Sequence, residues 1–132
     1  MLPRIVLASM FALSGILKVA YPTGAGTAIT YLLDLDLARS ALVMLGLTLA
    51  GYELLLALWL FSSRQRAAYA TAGVTLIVFS AALVLLMLDE RAPGCGCWGP
   101  FAAGRVASSL GLVGNCCALL LAGAGLRGGA LQ

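Results

Sequence analysis

Apolar residues in this chain fall in four long runs, separated by short polar or glycine-rich stretches. The first extends from about Leu2 to Ala20, with Arg4 near its start and Lys18 near its end. The second, about Ser40 to Ser63, carries one charge, Glu53. The third, Ala67 to Leu88, and the fourth, Val106 to Leu126, carry none. About 20 mostly apolar residues in a helix rising 1.5 Å each cross the ~30 Å hydrocarbon core of a bilayer. The last two runs meet that criterion outright, and the first two meet it once an ionisable residue in each is tolerated. The pattern therefore predicts an all-α chain: one transmembrane domain over 1–132, built as a four-span antiparallel helix bundle with spans at about 2–20, 40–63, 67–88 and 106–126.

The connections differ in character. Residues 21–39 open with Tyr21-Pro22-Thr23-Gly24-Ala25-Gly26, a breaker cluster. They continue through Leu32-Leu33-Asp34-Leu35-Asp36-Leu37, which is expected at the membrane surface. Residues 62–66, Ser-Ser-Arg-Gln-Arg, read as a tight turn. The stretch from Asp89 to Arg105 holds Gly94-Cys95-Gly96-Cys97-Trp98-Gly99-Pro100. The first run has the basic start and apolar body of a signal peptide. Lys18, however, sits where a cleavage region should be small and uncharged, so an uncleaved first span is expected. Trp59, Phe61, Tyr69, Tyr21 and Tyr31 lie near predicted helix ends and read as interfacial anchors.

Composition agrees with a bilayer protein. Apolar residues make up 62% of the chain and charged residues 10%, against roughly 45–50% and 25% in soluble domains, and mean hydropathy is +1.05. A water-soluble domain this small needs far more polar surface, and disorder is excluded by the same numbers. The net charge of +3 is small and scattered, which excludes nucleic acid as a partner. There is no histidine, so no His-ligated metal or haem and no imidazole proton shuttle is expected.

The basic residues nearly balance across the membrane: Arg4, Arg64, Arg66 and Arg127 on one side, and Lys18, Arg39, Arg91 and Arg105 on the other. The compact Arg64-Gln65-Arg66 turn favours the cytoplasm for its side. Both termini are then cytoplasmic, and the Cys95/Cys97 loop faces the oxidising periplasm of a bacterial inner membrane.

The four cysteines form two close pairs. Pro93 closes the third span, and glycines around Cys95 and Cys97 permit a tight turn. A Cys-X-Cys bridge closes a small, strained and readily reduced ring. Arg91 and Arg105 flank it, and cationic neighbours lower a thiol pKa. These features point to thiol–disulfide chemistry at Cys95 and Cys97, against the blander alternatives of separate structural bridges or an inert turn. Cys116 and Cys117 fall in the middle of the fourth span. Adjacent helical residues point about 100° apart, so a bridge between them needs a distorted backbone. The expectation is that they fill a helix interface; the alternative is a relay from the loop pair toward a lipid-soluble acceptor. Asn115 beside them should face a helix or a cavity, because its amide needs partners.

Lys18 and Glu53 are ionisable residues inside spans, and such residues are candidates for function. Lys18 has a second reading as a snorkelling residue. Glu53 lies nearer mid-depth and must be protonated, paired or part of a proton path. Lys18 is its obvious cationic partner, although the helical offset leaves direct pairing open.

Several of these residues resemble the MauE group of the DoxX-like membrane proteins. Cys95-Gly96-Cys97-Trp98-Gly99 is similar to that group's Cys-Gly-Cys-Phe-Gly, with tryptophan for phenylalanine. Ser14-Gly15-Ile16-Leu17-Lys18 resembles its Ser-Gly-x-x-Lys. Gly51-Tyr52-Glu53-Leu54 resembles its Glu-containing second helix. Arg105 and then Gly114-Asn115 fall where the group often has a basic residue and then Arg-Asn; Gly114 replaces that arginine. The resemblance spans nearly the whole chain. It implies a four-helix membrane protein tied to periplasmic thiol–disulfide chemistry, a thioredoxin-like partner and a logic shared with quinone-coupled disulfide-forming enzymes.

The reading is thus a membrane redox protein, a candidate thiol–disulfide oxidoreductase. It exchanges electrons with a periplasmic thioredoxin-like partner through Cys95 and Cys97, with quinone as the candidate acceptor and no resident metal. Two alternatives belong to other classes. One is a soft-metal, mercuric-ion-like transporter using Cys116 and Cys117. The other is a small anchoring or assembly subunit of a larger membrane complex.

Overall fold

A computed structural model describes residues 2–62, 65–89, 91–93 and 105–128. Among them the regular elements are helices: α1 (Leu2–Ala20), α2 (Pro22–Leu32), α3 (Arg39–Trp59), α4 (Gln65–Leu88) and α5 (Arg105–Gly128). Four of these, all but α2, are long and apolar enough to cross a membrane. They correspond to the four apolar runs.

The additional helix corrects the reading of 21–39 as a loop. Pro22 does not break the chain there but occupies the first turn of α2, where a missing N–H is one the helix does not use. Gly26 is also not a turn residue. A Cβ on it would lie 2.2 Å from the Leu42 carbonyl oxygen, and one on Gly46 of α3 would lie 1.9 Å from the Pro22 carbonyl oxygen. Both glycines exist to bring two helix backbones into direct contact, the small-residue packing of membrane helices. The end of α2 is a Schellman motif. Asp34 adopts φ 51°, the Asp34 N–H donates to the Tyr31 carbonyl, and the Leu35 N–H donates to the Thr30 carbonyl at 2.9 Å.

These contacts define a path. Pro22 meets Gly46 and Gly26 meets Leu42, while Arg4 at the start of α1 reaches the Phe61 carbonyl beyond the end of α3 at 2.9 Å. So α3 runs antiparallel first to α2 and then to α1, and α2 continues the direction of α1 past a break at Tyr21. The Arg4 guanidinium also stacks on the Phe61 ring, 4.8 Å from its centroid.

Helices α4 and α5 form the second antiparallel pair, fastened by Tyr69 against Gly125, where a Cβ would lie 2.5 Å from the ring. Tyr69 is therefore a buried core residue and not the interfacial anchor its position suggests. Tyr21, Tyr31, Trp59 and Phe61 are exposed near helix ends. The core joins Leu7 and Phe11 of α1 to Leu56 of α3, Leu76 of α4 and Ala118 of α5. A smaller cluster, Ala28 with Leu83 and Leu86, seats α2 on α4. Helices α3 and α4 are consecutive yet touch sparsely; the Tyr52 hydroxyl and Thr75 Oγ1, 2.6 Å apart, join them.

Candidate functional site

The site grows from the Ser14-Gly15-x-x-Lys18 stretch of α1. Residues four apart share a helix face, and Lys18 Nζ donates to Ser14 Oγ at 2.6 Å. Gly15, between them on the packed side, lets α1 approach α3 closely: a Cβ there would stand 2.9 Å from the Leu54 side chain and 3.1 Å from the Ala50 carbonyl oxygen. That approach delivers Lys18 to Glu53. Nζ donates to Glu53 Oε1 at 2.8 Å and to Oε2 at 2.9 Å. The three ammonium protons thus have three acceptors, and the two residues are 1% and 0% exposed.

The helical offset is bridged by side-chain direction. From Arg4 to Lys18 is a rise of about 21 Å, and from Phe61 back to Glu53 about 12 Å. Helical side chains lean toward their own N-terminus. Because α1 and α3 are antiparallel, Lys18 leans down and Glu53 leans up, and they meet in the middle third of the bundle. Lys18 is not snorkelling.

A cavity of about 50 Å³ lies against this pair, with Ser14, Lys18, Glu53 and Asn115 on its polar wall and Phe11, Phe79 and Ala118 among its apolar ones. It is roomy enough for water. Phe79 covers Lys18 from the α4 side, with Nζ 5.9 Å from the ring centroid, a cation–π distance. The structure brings Lys18, Glu53 and Asn115 together around one cavity. Ser14 and Phe79 complete it. Ser14 entered the sequence reading only within the Ser-Gly-x-x-Lys resemblance, and its i, i+4 spacing to Lys18 is the signal that marks it; nothing in the sequence distinguished Phe79 from other span aromatics.

Cys116 and Cys117 lie elsewhere. They are free and exposed on the outer surface of α5, not packed into a helix interface. The reason is register: Asn115 and Ala118 point inward to the cavity, which turns the two residues between them outward. Among the described residues no three Cys, Asp or Glu side chains gather as a metal set. Cys95 and Cys97 fall outside the described residues, as do Arg64 of the expected turn and the side chain of Arg105.

The approach to that segment is described. At the end of α4, Asp89 accepts a hydrogen bond from the Tyr31 hydroxyl of α2 and, through Oδ1, one from the Arg91 N–H at 2.9 Å. The Tyr31 and Arg91 bonds hold the Asp89 carboxyl below its usual range. The Asp89 bond, chiefly, raises the Tyr31 phenol above its own.

The family described as methylamine utilisation protein MauE matches residues 1–128. The chain belongs to the MauE family. The match covers the Ser14–Lys18 stretch, Glu53, the Cys95–Cys97 motif and Asn115. No curated protein and no solved structure matches it. Family and fold together make this MauE-family chain a multi-pass membrane protein.

Proposed function

We propose that this protein serves methylamine utilisation as a membrane thiol–disulfide oxidoreductase. It lies in the bacterial inner membrane with both termini cytoplasmic, and it exchanges electrons with a periplasmic thioredoxin-like partner through Cys95 and Cys97. The observation that carries the reading is the course of α4 and α5. The first closes at Leu88, beside the Tyr31–Asp89 tie, and the second opens at Arg105. In sequence, the stretch with both cysteines links the end of one span to the start of the next, and a connection between two spans supports access for a soluble partner. Cys116 sits halfway along α5, about 17 Å from its start, far from either end of the span where a soluble partner could reach it. Its exposure on the outer face, away from the internal cavity, also disfavours ion transfer through the bundle.

In the reducing direction, one loop thiolate attacks the partner's disulfide, giving a mixed disulfide and one partner thiolate. The second loop thiolate then attacks the mixed disulfide, closing the Cys95–Cys97 bridge and freeing the partner's other sulfur. The oxidising direction is the reverse. The test is Cys95→Ser and Cys97→Ser, each expressed with the native partner complement and run on non-reducing gels after acid trapping. One of the two should accumulate a mixed disulfide and both should abolish exchange. Full function in a variant lacking all four cysteines would refute the proposal and leave the anchoring-subunit reading.

A further inference from the structure

The helices pack as two units. Helices α1, α2 and α3 form one, α4 and α5 the other, and contact between the units is sparse apart from the seam of α1 with α5. Most of that seam is apolar: Leu7, Ala8 and Phe11 of α1 cluster with Ala118 and Ala122 of α5. In a bilayer such packing has no hydrophobic drive, because lipid tails are as apolar as the side chains. The cavity of about 50 Å³ beside the ion pair is different. There Ser14, Lys18 and Glu53 of the first unit face Asn115 of the second.

The two polar walls have complementary hydrogen-bonding needs. Lys18 places its three protons on Ser14 Oγ and on both Glu53 oxygens, and the Ser14 hydroxyl gives its own to Glu53. Every donor on this wall is engaged, and what remains is acceptor capacity. A carboxylate has about four lone-pair sites and a hydroxyl two, and these bonds leave one open on each. Asn115 opposite carries two amide protons and a carbonyl oxygen. Among the described residues its side chain makes no hydrogen bond, and an unpartnered amide within a bilayer is costly.

An occupant that satisfies both walls is small, neutral, and able to donate and accept. The space admits only a few atoms, since one water needs roughly 10–15 Å³ of it. A cation would sit beside the Lys18 ammonium, and an anion beside the Glu53 carboxylate, in a low-dielectric interior. We propose that the cavity holds ordered water, which accepts from the Asn115 amide and donates to Glu53 or Ser14, and that this bridge holds α5 in register on α1 and α3. Asn115 is thereby a positioning residue. It fixes the height and rotation of the helix whose start follows the cysteine stretch. The bridge is independent of what Cys95 and Cys97 react with.

The test uses the full-length protein in lipid nanodiscs. Pulsed radiolysis makes hydroxyl radicals from water, including water inside a protein, and these oxidise the side chains beside it; mass spectrometry locates the label. Phe11 and Met10 line the cavity, and Phe11 is only 3% exposed. Phe61, exposed at the end of the bundle, is the dose reference. Phe11 and Met10 should be labelled in the wild type, a measurement that depends on no variant. Lys18→Met/Glu53→Leu makes the first wall apolar, and because apolar cavities stay dry, the label relative to Phe61 should fall at least about fivefold. The bridge itself is tested by Asn115→Ala, which removes the amide without adding bulk. In the wild-type background it should shift the unfolding equilibrium at least about threefold, the scale of an interhelical hydrogen bond in a membrane. In the Lys18→Met/Glu53→Leu background the shift should vanish or reverse. Unlabelled Phe11 and Met10 in the wild type would mean a dry cavity and overturn the proposal. So would label that survives removal of the pair. An equal shift from Asn115→Ala in both backgrounds would overturn the bridge, since Asn115 would then act through packing alone.

Discussion

Removing one member of the Lys18–Glu53 pair should cost far more than removing both. Lys18→Met leaves a carboxylate, 0% exposed, which loses the ammonium that bonds both its oxygens and keeps the Ser14 hydroxyl. Glu53→Leu leaves an ammonium with only Ser14 Oγ, at 2.6 Å. Breaking a buried pair from one side destabilises by about 3–5 kcal/mol, whereas replacing both partners with apolar residues is often neutral or stabilising by about 1–4 kcal/mol. The double variant Lys18→Met/Glu53→Leu should therefore unfold at or above the wild-type midpoint, and the cycle should show coupling of several kcal/mol. Partners found within the membrane-inserted unfolded state trim this figure without reversing its sign. The assay is equilibrium unfolding of purified protein in mixed micelles, titrated with sodium dodecyl sulfate and followed by circular dichroism. Single variants that unfold like the wild type, or a double variant whose loss is the sum of the two singles, would refute the described geometry. The same proteins separate structure from chemistry. If the double variant is folded but no longer turns over, the pair acts in the reaction; if it turns over normally, the pair is a register device for α1 and α3.

Gly46→Ala should detach α2 from α3, because its Cβ would lie 1.9 Å from the Pro22 carbonyl oxygen; a loss of about 1–3 kcal/mol or more is expected in the same unfolding assay, while Gly51→Ala, with nothing within 4 Å, should be neutral or gain up to about 1 kcal/mol. The Tyr31–Asp89 tie stabilises above the ordinary carboxyl range, because Asp89 is depressed in the fold, and is lost as pH falls through its lowered value; on the alkaline side it is present below the ordinary phenol range and lost as pH rises through the raised Tyr31 value. Asp89→Asn should move the Tyr31 titration, followed by absorbance near 295 nm, back down toward the ordinary range, and an unmoved curve would sink the assignment. Cys116→Ala with Cys117→Ala should leave stability within about 0.5 kcal/mol, since both side chains are exposed on α5, and should leave thiol exchange intact; a folded but inactive double alanine variant would instead establish the two-pair relay. A membrane-impermeant thiol reagent should label Cys95 or Cys97 in reduced intact cells, and labelling only after the inner membrane is broken would invert the topology.

The spans were legible because a bilayer imposes a coarse and demanding rule: some 20 apolar residues per crossing, satisfied at four places in this chain. Their partners were less legible. Helix α2 was hidden because proline and glycine carry two meanings. In water Pro22, Gly24 and Gly26 read as a break, but Pro22 sits where a helix tolerates proline, and Gly26 and Gly46 are where two backbones meet. Tyr69 was misplaced for a similar reason: its distance from the helix end suggested an interface, whereas the glycine that accepts its ring, Gly125, is 56 positions away in sequence and declares nothing locally. Lys18 and Glu53 stood out as charges in apolar spans, and the need for a partner pointed each toward the other. What spacing alone left open was whether they touch, and that depends on α1 and α3 being antiparallel, so that two side chains leaning toward opposite N-termini close an offset their Cα positions would leave. The direction of Cys116 and Cys117 follows from the same register argument in reverse. Once Asn115 and Ala118 face the cavity, the residues between them face out, and the polar residue next to the cysteines, not the cysteines, marks the inward face of α5.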